Sequence, residues 1–166
     1  MKTSEVLLDG HSRVQEVLHD VVAGLDDKTL ATRPGDSANS IAWLVWHLTR
    51  VQDDHLADAG GYLQVYTADG WFERLGLPLD AADTGYAHTS EQVGLVKLSA
   101  DQLLGYYDAV HARTVEFLKT VTDERLDRIV DRRWNPPVTL GVRLVSVIDD
   151  CAQHAGQAAY VKGLLS

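Results

Sequence analysis

The run from about Leu140 to Leu164 constrains the chain most. It follows Pro136-Pro137, contains no proline, and is weakened as a helix only by Gly141, Gly156 and Gly163. So long an unbroken stretch reads as one long helix. Three other runs carry a helical period. Leu7, Val14, Leu18, Val21 and Leu25 recur at three-, four- and seven-residue steps, which predicts a helix over Thr3 to Leu25. A second starts at the capping residues Asn39 or Ser40, runs to about Ala59 and stops at Gly60-Gly61. Ser99 and Gln102 have capping-box spacing and open a third over Ala100 to Val121. Its inward face reads Leu104, Tyr107, His111, Thr114, Leu118 and Val121.

Four long helices without repeat or linker predict one all-α domain, a four-helix bundle spanning residues 1–166. Tyr62 to Ser90 is the longest irregular stretch, with one helical turn expected between Gly70 and Gly76. A crossover that long marks a lid or a pocket wall. Shorter helical pieces are expected at 29–31, 89–96 and 122–126, and an extended piece at 128–134.

Composition bounds the function. Hydrophobic residues are 45% and charged residues 23%, which is globular. A net charge of -9 argues against nucleic acid and anionic membranes, since both need a basic surface. No window has the apolar length to span a bilayer, and the first residues lack a signal-peptide pattern. The single cysteine fits a reducing cytoplasm, the expected location, and Cys151 itself reads as a small core residue.

Asp150 and His154 are four apart on the last helix and project together. Val147, Asp150, His154 and Val161 form one stripe, so the pair shares a face with apolar residues. A buried carboxylate needs a partner; a cation or an arginine would serve. His47 lies in the apolar second helix, where it is either a hydrogen-bonded core residue or a third ligand. Three such ligands would leave open positions at a metal, as catalysis requires. His11 and His111 also face inward, as rival ligands, supporting residues or pocket walls. Arg50, three after His47, is either a salt-bridge residue or a substrate anchor, and Trp71 lines a pocket or fills the core. Asp54 is a weaker fourth ligand. His55 reads as bordering or exposed, and nothing decides the place of His88. No phosphate-binding, dinucleotide, nucleophile-elbow or His-Glu-x-x-His motif is present.

The segments Asn39-Ser40-Ile41-Ala42-Trp43-Leu44-Val45-Trp46-His47 and Asp149-Asp150-Cys151-Ala152-Gln153-His154-Ala155-Gly156-Gln157 resemble the DinB superfamily. Asp69-Gly70-Trp71, Asp83-Thr84-Gly85-Tyr86 and the stretch from Asp131 to Val142 resemble its actinobacterial mycothiol S-transferase branch. The resemblance implies a DinB-type bundle holding a divalent metal on His47, Asp150 and His154. Position 150 is aspartate where the similar mycothiol-dependent maleylpyruvate isomerases use glutamate, and their extra C-terminal domain is lacking, so isomerase activity is not carried over. The implied activity is S-transfer: mycothiol, a small thiol, is activated at the metal and attacks an electrophile. Zinc stands first, and nickel, iron or manganese also suit such ligands. Arg50, Trp71, His11 and His111 are the candidate thiol- or substrate-binding residues, and a homodimer is expected by resemblance. The alternatives are a non-catalytic bundle binding a ligand or a protein, and a metal-dependent hydrolase.

Overall fold

Each of the four periodic runs forms a helix, and the helix ends have local causes. The computed structural model describes residues 1–166. In chain order it contains α1 (Thr3–Val22), α2 (Asp27–Ala31), α3 (Ile41–Gly60), α4 (Val65–Ala68), α5 (Trp71–Leu75), α6 (Ser90–Leu95) and α7 (Ala100–Leu118). A 3-10 turn (Asp123–Arg125), β1 (Ile129–Asp131), β2 (Val138–Thr139) and α8 (Leu140–Leu165) follow. Ser40 caps α3 by accepting from the Trp43 amide, and Gly61 ends it at φ 72°. Thr89–Gln92 and Ser99–Gln102 are capping boxes at the starts of α6 and α7. Helix α1 stops at Val22, short of Leu25, and Gly24 follows it at φ 78°.

The long helices pack in the ring order α1, α8, α3, α7. Leu18, Leu44, Leu48, Leu103 and Leu144 fill the centre and are almost fully buried. Each such side chain contributes about 1.5–3 kcal/mol on leaving water. Helix α3 is apolar on nearly every side because α7 and α8 cover its inner faces and the crossover 62–98 covers the rest. The crossover docks through polar groups of α3. Asp53 accepts from the Val65 and Tyr66 amides at 2.9 and 2.8 Å, which satisfies the first turn of α4. Arg50 donates to the Asp83 carbonyl and to Gln64, and its guanidinium lies 4.1 Å from the centre of the Tyr66 ring.

Two further details depart from the sequence expectation. Helix α4 is new, and the extended piece near 129 finds a partner. Ile129 pairs with Thr139 and Asp131 with Val138 in a two-stranded antiparallel ladder. That ladder sets Asp131 beside the start of α8, where its carboxylate meets Arg143 at 3.2 Å.

Candidate metal centre

Helices α3 and α8 bring His47, Asp150 and His154 together. One ligand atom from each lies within 4.8 Å of the others. The imidazoles of His47 and His154 meet edge to face, with centroids 4.7 Å apart. Asp150 Oδ1 is 3.6 Å from His154 Nε2.

Each histidine is oriented from behind. His47 Nδ1 donates to the Thr84 carbonyl at 2.5 Å, and His154 Nδ1 donates to Gln157 Oε1 at 2.9 Å. With the proton fixed on Nδ1, each ring presents Nε2 as a lone pair, the form that ligates. Burial lowers the His47 pKa, partly offset by the Thr84 bond, so the ring stays neutral where a ligand must be neutral. Trp43 stacks on His47 with centroids 4.6 Å apart and closes one side.

The Thr84 carbonyl is itself held. Asp83 accepts from the Gly85 amide at 2.8 Å and from His88 Nε2 at 2.9 Å. His88 Nδ1 accepts from Trp43 Nε1 at 3.1 Å. The loop 83–88 is thus tied to α3 by groups that do not themselves belong to the ligand cluster.

The residues fit a cation. Asp150 Oδ2 is buried without a hydrogen-bond partner, an arrangement that is costly unless positive charge arrives. Two imidazole nitrogens and a carboxylate form a borderline donor set suited to zinc, nickel, iron or manganese. The Asp150 side chain keeps 38% exposure, and a cavity of about 340 Å³ adjoins it, so the group is reachable by small molecules.

The DinB superfamily profile matches residues 11–158. The chain belongs to the DinB superfamily. A crystal structure of a conserved protein from Enterococcus faecalis is similar throughout, with TM-score 0.93 and 30% identity over 99% of this chain and 98% of that one. Among curated proteins nothing matches.

The other sequence candidates lie elsewhere in this DinB bundle. Arg50 is fully buried and its donors go to Asp83, Tyr106, Gln64 and Ala81, so it clamps the crossover and has no donor turned to a substrate. His11 is fully buried with both ring nitrogens unpartnered, and neighbours His111 and Gln52 inside the bundle. His111 stacks on Tyr107 at 6.0 Å. Neither histidine joins the ligand cluster, so the structure does not group them with His47, Asp150 and His154 as rival ligands. Trp71 packs on Tyr106 and under Arg74, a wall of the crossover and not of the cavity at Asp150. Asp54 accepts from Gln64 and stands outside the cluster. Cys151 is fully buried, with its thiol pKa pushed well up by burial.

Sequence reasoning read His55 as bordering or exposed and did not single out Arg143. Arg143 Nη1 donates to His55 Nδ1 at 2.8 Å, and both line the cavity that reaches Asp150. The available signal was register. His55 lies two turns beyond His47 on α3, and Arg143 two turns before Asp150 on α8, so antiparallel packing brings them opposite.

Proposed function

We propose that this DinB-superfamily protein is a metal-dependent thiol S-transferase with mycothiol as the thiol, in keeping with its resemblance to that branch. The observation that carries the reading is the His47–Asp150–His154 group, with both Nε2 atoms freed for ligation and Asp150 lining an open cleft. A divalent cation held there, zinc first, supplies the positive charge that keeps a thiol as thiolate at neutral pH. The chain does the rest. Thr84 and Gln157 fix the imidazoles, Asp150 lends its unpartnered oxygen, and Trp43 shields one flank. In the transfer one carbon–sulfur bond forms while the leaving group departs with its bonding pair, and the thiol proton goes to solvent. That balance needs no base from the protein.

The test starts with elemental analysis of protein purified without added metal. Zinc-loaded protein is then given mycothiol and chlorodinitrobenzene, and chloride release is followed. The expected result is one cation per chain and thiol-dependent turnover, both lost in His154→Ala. Turnover without any thiol would favour a hydrolase. A folded, metal-free protein indifferent to chelator would favour a non-catalytic bundle.

A further inference from the structure

We propose that the cleft between α3 and α8 reads a carboxylate of the electrophilic substrate, mycothiol itself having none, through Arg143 and His55. The inference rests on the reading of His47, Asp150 and His154 as a cation site. The cleft runs from Asp150 past Val51 and Val147 to a polar end formed by His55, Arg133 and Arg143. Its volume of about 340 Å³ suits a small organic molecule and not a polymer. Arg143 precedes Asp150 by seven residues, which is about 10 Å of helix. A ligand with one end at the cation therefore lays an apolar middle over the valines and its other end against Arg143.

Arg143 is built for such a contact. It is buried, and two of its donors hold it in place, one on His55 Nδ1 at 2.8 Å and one on Asp131 Oδ2 at 3.2 Å. A guanidinium carries five N–H groups, so donors remain in a fixed plane that matches a carboxylate. The same contact fixes His55. A guanidinium can only donate, so His55 Nδ1 holds a lone pair and the ring proton sits on Nε2. Partial burial and the adjacent Arg143 lower the pKa of that ring, with Asp54, 3.6 Å from Nδ1, opposing. His55 is thus a hydrogen-bond donor towards an oxygen, not a base.

Charge decides the sign of the ligand. In the cleft the guanidiniums of Arg133 and Arg143 are balanced by the carboxylates of Asp131 and Asp150. Asp131 is already occupied by three bonds from Arg133 and one from Arg143. A divalent cation at Asp150 then leaves the cleft positive. His55 and Arg143 also line a wider cavity of about 850 Å³, which carries Asp54, Asp58 and Asp80 together with Arg132 and Arg133. Arg143 is the buried guanidinium shared by the two cavities, which places the carboxylate there.

The experiment uses the zinc-loaded full chain and two thiols of equal length, mercaptooctanoate and mercaptooctanol, titrated by calorimetry. Wild type should bind the carboxylate at least about tenfold more tightly than the alcohol. In Arg143→Gln the preference should shrink to about twofold while zinc affinity is unchanged, and Arg143→Lys should restore part of it. A merely structural Arg143 would weaken both thiols alike, so the ratio is the deciding readout. If Arg143→Gln does not fold, Arg143→Lys and His55→Phe serve, each expected to narrow the ratio. Equal affinities in wild type, or a ratio that survives these variants, would overturn the proposal. A wild-type chain that takes up no zinc would overturn the cation site itself, before any thiol is added.

Discussion

Gly85 shows how little room surrounds a ligand in this site. Its φ is +89°, and a Cβ there would lie 2.7 Å from His47 Nδ1 and 3.0 Å from Trp46. Only glycine lets the backbone pass close enough for the Thr84 carbonyl to reach the imidazole. Gly85→Ala should cost about 1–3 kcal/mol of stability. It should also lower zinc affinity by roughly 10–100-fold, the usual penalty for disturbing the support of a ligating histidine. Denaturant unfolding and zinc calorimetry measure the two effects. His11 gives a pH prediction. Burial, helped by nearby His111, lowers its pKa from 6.5 to about 4. The unfolded chain therefore takes up a proton that the folded chain refuses. Stability is unaffected above pH 6.5 and falls as the pH drops from there towards 4, by about 1.4 kcal/mol per unit for this group. Burial lowers the His111 pKa too, so it acts in the same direction. Urea unfolding at several pH values should show that slope, reduced in His11→Leu.

Helix α3 carries His47 and depends on its first turn. Ser40→Ala removes the acceptor of the Trp43 amide at 3.1 Å and should cost about 1 kcal/mol, read as a lower urea midpoint at unchanged slope. Such caps were legible in the sequence, because Ser40, Thr89 and Ser99 announce helix starts by local chemistry alone. The four long helices were legible too, since a period of 3.6 survives in any tertiary context. The ladder at 129–139 was half visible, because β2 has only two residues and its partner lies across Pro136-Pro137. Arg50 misled because three residues after His47 looks like a shared face, whereas the crossover wraps α3 and claims that guanidinium. The pairing of His55 with Arg143 stayed hidden for a related reason. They stand 88 residues apart, and only the packing of α3 on α8 pairs them.

At the scale of the molecule, the ligand cluster joins α3 to α8, two neighbours in the ring that are distant in sequence. A cation there acts as a cross-link that only the folded chain can make. Zinc at one hundred times its dissociation constant should stabilise the fold by about 2.7 kcal/mol, raising the melting temperature by roughly 5–10 °C. Chelator should reverse the shift, and Asp150→Asn should abolish most of it; scanning calorimetry checks both. We propose homodimer formation as well, by resemblance to the family alone. Sedimentation at micromolar concentration should then give twice the chain mass.

The stacking of Trp43 on His47 reaches past structure. An indole pressed against a ligating ring makes the protein its own lamp. With a cation held there, open-shell nickel would dim the ultraviolet emission of this one of four tryptophans more than closed-shell zinc would.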